Sequence, residues 1–498
     1  MHVTGALSGL TTLNNAGTIG MQGGGATQTL TADAVIFNTG SFFDIDVGAA
    51  GVSDRLLANT VALAGTVRVS GAATSGAYTT PYVIVSSTGI TGAFAGVTTD
   101  LAFFDPQLGY DDPTAVTLTL ALKSFAEAGE TPNQKTVAAT VEALGTGNPI
   151  YDTMLWLTKE QARQAFDDLS GEIYSSIKGV FIRNAGVVAD AATGRIDQAF
   201  DTGDFGGVST VSAYADAPAL PAAPAPNNDF WAQVYGSLGS LTATGDTAAA
   251  DSSTGGLAAG FDRLLDEWRL GLVVQAGVTR TTVSALSSSS DSSDYGLGVY
   301  GGRQWGDTRL SLGAAYTRHD IVSSRQVVLP DFSNDLSADY AAGTTQVFGK
   351  LSQTVHLPGL SLTPYGSFAY VSHTTDGFHE TGGHAALTSA ASVVSAAFTT
   401  IGLAADRQFA VGDRMLVTVK ASFGWRHAFA DDPGSRNAFA NGPDFSIVGA
   451  PIAGDAAVLG AGLNIDVGAG MALAVAYDGQ IGSGAELHAV KGAWSTQF

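Results

Sequence analysis

The chain has 498 residues, of which 23 are Lys or Arg and 45 are Asp or Glu, so its net charge is −22, and it contains no cysteine. This length predicts two or three domains, and the acidic balance excludes nucleic acid as a partner, because binding phosphates needs clustered basic residues. No run approaches the roughly 18 to 20 consecutive apolar residues of a transmembrane helix, so a membrane role would have to rest on strands.

The first residues lack the basic start and the apolar core of a signal peptide. We therefore expect that an export signal lies upstream of Met1 or that the chain is a fragment.

Up to about residue 120 the sequence consists of short β-type runs separated by Gly, Asn and Asp turns, for example at residues 34–37, 43–47, 61–69 and 116–120. Because no helical segments separate these runs, we expect them to stack as the rungs of a β-solenoid. A β-sandwich is the alternative, since the repeat length is irregular. We assign residues 1–130 to this unit.

Helix-forming residues predominate from 131 to about 200. Residues 158–161 have the form of a capping box, with Thr158 at the cap and Gln161 three residues later. Apolar residues then recur at helical spacing up to Phe181, although Gly171 and Gly179 weaken the pattern. The proline-rich stretch 221–226 indicates a linker. Residues 131–228 are therefore predicted to be a helical segment followed by a linker.

From Phe230 to the end of the chain, apolar residues recur with period two. In residues 268–277, for example, one face is Trp268, Leu270, Leu272, Val274 and Ala276, and the other is Arg269, Gly271, Val273, Gln275 and Gly277. We find about twelve such segments, most near the roughly 9 to 11 residues that cross a bilayer as tilted strands. This pattern predicts an all-β fold class for residues 229–498, a transmembrane antiparallel β-barrel whose small inward residues leave a lumen.

The last strand is predicted to end with the chain. Counting in twos from Phe498 gives Thr496, Trp494, Gly492 and Val490, while the alternate positions are polar or small. A strand with this alternation faces lipid with its apolar side. Several aromatic residues lie near predicted strand ends, where they belong either to an interfacial girdle or to ordinary packing: Trp231, Tyr235, Trp305, Tyr316, Phe423 and Trp425.

Two motifs match patterns of nucleotide-binding or metal-binding sites, but their sequence context disfavours these roles. Residues 296–301 match the glycine spacing of a dinucleotide-binding turn, yet they lie inside an alternating strand. His379 and His384 flank a glutamate, but they are one residue too far apart to share a helical face, so a polar loop is expected. No Gly-x-Ser-x-Gly elbow is present. We therefore expect no catalytic residue, no cofactor and no metal site in this chain.

Several ordered motifs resemble the C-terminal β-domain of the autotransporters of Gram-negative bacteria, the proteins of type V secretion. In the first strand the matching residues are Phe230, Trp231, Tyr235 and Gly236, and further matches are residues 255–263, 423–429 and 476–484. Residues 169–175 resemble the segment before the barrel. Residues 51–56 and 90–94 resemble the end of a pertactin-like β-helical passenger.

The resemblance implies a translocator of the Gram-negative outer membrane that secretes its own passenger, an adhesin or another virulence-type surface protein, to the cell surface. A surface enzyme upstream of this chain, an esterase or a protease, and a stand-alone porin are the alternatives. The implied partners are outer-membrane lipid, the barrel-assembly machinery, periplasmic chaperones and the passenger itself, with the barrel acting as a monomer.

The resemblance also implies roles for particular residues. Phe498, Trp494 and Val490 would form the signal recognised by the barrel-assembly machinery. The segment from about 169 to 200 would thread the lumen as a pore helix, bringing Arg183, Asp190 and Arg195 to the polar inner wall. The alternative is a helix on the surface followed by a flexible linker.

Overall fold

The structure is a computed structural model that describes residues 1–2, 7–21, 27–71, 78–202, 228–330, 332–411, 415–468 and 471–497. Within these ranges the chain forms a β-solenoid, five helices and a β-barrel, in that order.

Two sheets form the solenoid, and their strands alternate along the chain. One sheet has the order β1-β3-β5-β7-β10-β9 and the other β2-β4-β6-β8. Pairing is parallel among β1, β3, β5 and β7 and throughout the second sheet, while β10 pairs antiparallel with β7 and β9. The strands are β1 (Leu7–Asn15), β2 (Thr18–Gly20), β3 (Thr29–Phe37), β4 (Phe42–Val47), β5 (Arg55–Leu63), β6 (Thr66–Gly71), β7 (Tyr82–Gly92), β8 (Gly96–Thr99), β9 (Phe104–Gly109) and β10 (Ala115–Leu122). Parallel stacking of successive passes confirms the solenoid and excludes the sandwich, whose sheets are antiparallel.

The five helices are α1 (Pro132–Leu144), α2 (Pro149–Met154), α3 (Lys159–Leu169), α4 (Ile173–Asn184) and α5 (Gly186–Thr202). The predicted capping box is present at α3, where the Thr158 side chain accepts a hydrogen bond from the backbone N–H of Gln161. Gly171, with φ of +68°, breaks the expected helical run between α3 and α4, because a left-handed residue ends a helix. Gly179 does not break α4. Among the described residues, no helix is both long and apolar enough to cross a membrane.

Twelve strands of the described residues close into a barrel. Each pairs antiparallel with the next, and closure comes from pairing of the first with the last and of β16 with β18. They are β11 (Asn228–Leu241), β12 (Ala250–Leu265), β13 (Trp268–Val283), β14 (Ser288–Trp305), β15 (Thr308–Leu329), β16 (Phe332–Gln353), β18 (Leu360–Thr375), β21 (Ser392–Val411), β22 (Met415–Ala430), β25 (Asp455–Gly468), β26 (Met471–Gly482) and β27 (Ala485–Gln497). The predicted architecture is confirmed, and residues 296–301 lie inside β14.

The two faces of the barrel strands differ as period two predicts. On β13, Leu270, Leu272 and Val274 are exposed on the outer surface, whereas Arg269 and Val273 are buried inside. Exposed apolar side chains continue around the outer wall, including Leu297, Val299, Leu312, Phe368, Ile401, Phe423, Trp425, Val475 and Val490. An apolar outer surface of this kind is stable only in contact with lipid.

The two ends of the barrel have different connections. At one end, which we call the short-turn end, two residues separate β12 from β13 and β14 from β15, and the short strand β17 (Val355–Leu357) pairs with β18. At the other, the long-loop end, the connections contain a separate sheet of β19 (Phe378–His379), β20 (Leu387–Ser389), β23 (Gly434–Phe439) and β24 (Asp444–Val448). Apolar residues of the long-loop end, among them Leu387 and Phe445, belong to the same core as the solenoid and α1 to α3.

Candidate functional site in the barrel lumen

Helices α4 and α5 lie inside the barrel. Helix α4 contacts β12, β13, β14, β18 and β21 as well as the small sheet at the long-loop end, while α5 contacts β13 to β16. Glu172, just before α4, accepts a hydrogen bond of 2.9 Å from the backbone N–H of Ala248 in the loop after β11. Arg195 of α5 reaches Asp229 at the start of β11. The two helices therefore run from the long-loop end to the short-turn end.

Arg195 is the centre of a buried ion-pair network at the short-turn end. Its guanidinium donates through Nε to Oδ2 of Asp262 at 2.8 Å and through Nη2 to Asp229. Arg269 of β13 donates to the same two carboxylates. All four side chains are at most 5% exposed. Two positive and two negative charges thus meet in one cluster, which ties α5 to three barrel strands.

The network continues into the first-strand motif. The hydroxyl of Tyr300 donates to Oδ2 of Asp262 at 2.8 Å and accepts from the indole N–H of Trp231 at 2.7 Å. The Trp231 ring lies over Gly260, where an added Cβ would come within 2.4 Å of the indole. Trp231 and Tyr235 therefore point into the lumen, so of the two alternatives left open for them, ordinary packing holds and an interfacial girdle does not. Trp305, Tyr316, Phe423 and Trp425 are exposed on the outer wall, as a girdle requires.

The other two residues predicted for the pore helix have different surroundings. Asp190 pairs with Lys491 of β27 at 3.3 Å, and Lys491 also binds Asp478 at 2.9 Å. Arg183 lies beside Gly239, and its buried Nε and Nη1 have no hydrogen-bond partner among the described residues. A buried guanidinium with two nitrogens unpaired opposes the docking of α4, because the lost hydration of these nitrogens is not replaced.

Sequence reasoning missed one further anchor of α5. The carboxylate of Asp197 accepts from Lys350 at 2.6 Å and from Arg309 at 3.2 Å, and its backbone carbonyl also accepts from Arg309. Only the alternation of β15 and β16, which places both basic residues on the inward face, gave a signal for it.

A second cluster joins the helices to the long-loop end. Arg325 of β15 donates to both carboxylate oxygens of Glu380, at 2.7 and 2.8 Å, and to the backbone carbonyl of Asp168 at 2.7 Å. The Tyr174 hydroxyl donates to the same Glu380. The motif around His379 lies in the connection between β18 and β21, where His379 ends the short strand β19, and its glutamate is a buried structural anchor. No group of three or more potential metal-ligating side chains is found in the described ranges.

Acidic side chains gather where the helices enter the barrel. Burial, with added repulsion from Asp167 and Asp246, raises the pKa of Glu172 to about 8. Burial also raises the pKa of Asp167 to about 6, although Gln134 donates to both its oxygens. Both carboxyl groups are therefore protonated more readily at this junction than in water.

The first-strand motif also meets the predicted assembly signal. Gly236 pairs with Val490 across β11 and β27, and the ring of Phe230 lies 6.0 Å from that of Trp494. All of the outward side chains Phe230, Val490 and Trp494 are exposed. Phe498 lies outside the described residues.

Comparison with known proteins identifies the barrel. The family model "Autotransporter beta-domain" matches residues 230–478, half of the chain. Two relatives from Serratia marcescens, each named "Extracellular serine protease", are 26% identical over 93% of this chain. The chain covers 48% of each of them, so it spans about half their length.

Among solved structures, the translocator domain of NalP from Neisseria meningitidis is 17% identical, with a TM-score of 0.44 over 64% of this chain and 99% of that one. The β-domain of Bordetella BrkA is 16% identical, with a TM-score of 0.42 over 55% and 100%. Because the family model matches half of its residues, the chain belongs to the autotransporter family, and its barrel is the β-domain through which such a protein secretes its passenger across the Gram-negative outer membrane.

Proposed function

We propose that α4 and α5 are the trailing end of the secreted passenger, which stays in the lumen and closes the pore after transport. The observation that carries this proposal is the network of Arg195 with Asp229, Asp262 and Arg269, because it fixes α5 to the inner wall by charges that cannot be exposed to lipid. The same reasoning supports a division into a passenger stub at 1–130, a partly pore-filling segment at 131–228 and a barrel at 229–498.

Deleting residues 169–200 and measuring single-channel conductance in planar bilayers tests this. A helix is about 10 Å across with its side chains, so its removal should raise the conductance clearly. A matched control deletes residues 1–63, which removes solenoid rungs but leaves α4 and α5. Equal conductance of the intact chain and the 169–200 deletion would place the segment outside the pore.

The family and the barrel's outer surface support the partners that we propose. The terminal strand, with Val490 and Trp494 exposed on it, supports recognition by the barrel-assembly machinery after periplasmic chaperones have delivered the chain. Each of the twelve described barrel strands pairs with a neighbour on both sides, which supports a monomeric barrel. Crosslinking of β27 to the assembly machinery in cells checks the first point.

The passenger's activity is a separate proposal. We expected an adhesin or virulence-type surface protein, with an enzyme as the alternative, and the names of the two Serratia relatives favour a serine protease. The catalytic residues would lie upstream of this chain. Casein cleavage by cells expressing the full-length gene, abolished by a serine-protease inhibitor, would support this; surface binding without cleavage would support the adhesin.

A further inference from the structure

A belt of hydrogen-bonded side chains runs across six neighbouring barrel strands beside α4. It contains Thr254, Thr279, Asp294, His319, Thr344 and His373, all at most 8% exposed. Asn184 of α4 donates to Thr254 at 2.8 Å, and Thr279 donates to Oδ2 of Asp294 at 2.6 Å. On the other side of Asp294, the belt continues through both histidines. Neither the family resemblance nor the ion-pair clusters involve these residues.

The imidazoles of His319 and His373 face the aromatic ring of Phe181 on α4. The centroid of Phe181 lies 4.1 Å from that of His319 and 5.2 Å from that of His373, and the planes of Phe181 and His373 differ by only 21°. The two imidazoles themselves are 5.7 Å apart. Through Phe181, helix α4 thus packs against a pair of buried histidines.

Hydrogen-bond directions follow from Asp294, because a carboxylate only accepts. His319 must therefore donate from Nδ1 to Asp294 at 2.7 Å, which leaves its Nε2 as the acceptor for Thr344 at 2.9 Å. The Thr344 oxygen then accepts from Nδ1 of His373 at 2.9 Å, and Nε2 of His373 accepts from Thr375 at 3.2 Å. With both imidazoles neutral, every polar atom of this chain is satisfied.

One added proton can be accommodated. If His319 is charged, its Nε2 donates to Thr344, the Thr344 hydroxyl turns to Nδ1 of His373, and His373 donates from Nε2 to Thr375. A second proton cannot be accommodated in this way. Both rings would then donate to the Thr344 oxygen, whose own proton loses its acceptor, and two like charges would face each other 5.7 Å apart.

The charged surroundings add to this effect. Helix α4 itself brings two cations, Lys178 and Arg183, and within the described ranges the hydrogen-bond acceptors of Lys178 are the neutral oxygens of Ser392 and Gly434. Asp294 of β14 is the acidic group bonded to the pair. At the other end of α4, Tyr174 donates to Glu380, which is paired with Arg325 of β15. Further polar side chains on the walls packed against α4 include Tyr340 and Gln346 of β16, Thr375 of β18 and Ser392 of β21.

We propose that His319 and His373, with Phe181 stacked on them, are positioning residues that lock α4 in the lumen while at most one imidazole is charged, and that double protonation releases the helix. The lock rests on the proposed function, since it acts on the helix that is proposed to close the pore. Protonation of Glu172 at the long-loop end acts in the opposite direction, because its buried site favours the protonated form.

Single-channel conductance of the full chain, at about pH 7.5 and about pH 5, tests the lock. We expect about tenfold more frequent openings at the lower pH, the equivalent of one lost hydrogen bond to a charged group. His373→Gln keeps a donor and an acceptor but cannot be charged, so it should remove the acid response. His356→Gln, at an exposed residue of the short-turn end, is the matched control and should keep the response.

Hydrogen exchange of α4 in the unmodified chain gives a second readout that needs no variant. Protection of residues 177–184, corrected for the intrinsic pH dependence of exchange, should fall about tenfold between the same two pH values. The proposal is overturned if the protection of α4 does not change between the two pH values. It is also overturned if the His373→Gln channel opens as often at the lower pH as the channel of the unmodified chain. High conductance at both pH values with protected α4 would instead contradict the pore-closing function.

Discussion

Replacing Arg195 by Met tests how strongly the pore segment is anchored. The substitution keeps the apolar stem but removes three hydrogen bonds, two to Asp262 and one to Asp229. Arg269 then faces two buried carboxylates alone, which leaves one uncompensated negative charge. Breaking a buried ion pair by removing one partner costs about 3–5 kcal/mol. The docking equilibrium of α5 should therefore shift roughly a hundredfold to a few thousandfold.

The assay is hydrogen exchange of α5 in detergent micelles, with urea unfolding of the barrel measured in parallel. Adding Asp229→Asn to Arg195→Met restores neutrality, so the double variant should recover much of the lost protection. Arg318→Met is the matched control, because Arg318 forms an exposed outer-wall pair with Asp320 at 2.9 Å, worth at most about 1 kcal/mol.

The reasoning is refuted if Arg195→Met loses no more protection than Arg318→Met, or if the added Asp229→Asn brings no recovery.

Three further outcomes are expected. Gly260→Val should slow formation of the heat-modifiable barrel and destabilise it by about 1–3 kcal/mol, because the new side chain overlaps the Trp231 ring; unboiled gels that match the parent would contradict this. The stability of the junction should fall as the pH rises from about 4.5 to about 8, because burial raises the pKa of Glu172 in the folded chain, so the folded state holds the extra proton; urea titrations of Glu172→Gln should lack this slope. Deleting Phe498 should lower surface levels only partly, since Trp494 remains on the outward row, and unchanged levels with unchanged periplasmic protease sensitivity would count against an assembly signal.

Local pattern was sufficient for much of the fold. Alternation along residues 268–277 distinguishes the outer from the inner face, because side-chain direction in a strand depends only on residue parity. The capping box at Thr158 likewise marks the start of α3, since its hydrogen bonds join residues three apart. The resemblance to family motifs then indicated the outer-membrane location and the type of barrel.

Local patterns could not predict contacts between side chains that are distant in the sequence. Arg195 and Asp262 are 67 residues apart, and Arg325 donates to a carbonyl 157 residues away. The family resemblance implied a helix up to about residue 200, but the charges that α5 meets depend on how the barrel closes around it. The belt through His319 and His373 arises in the same way, from the register of neighbouring strands.

Alternation along β11 places Trp231 on the face opposite to Phe230, but it leaves open which of the two residues faces lipid. Contacts between strands settle this, because Gly260 on the neighbouring strand provides the space that the indole fills and Tyr300 provides an acceptor for its N–H. A buried tryptophan needs both, and neither is visible in the alternation of a single strand.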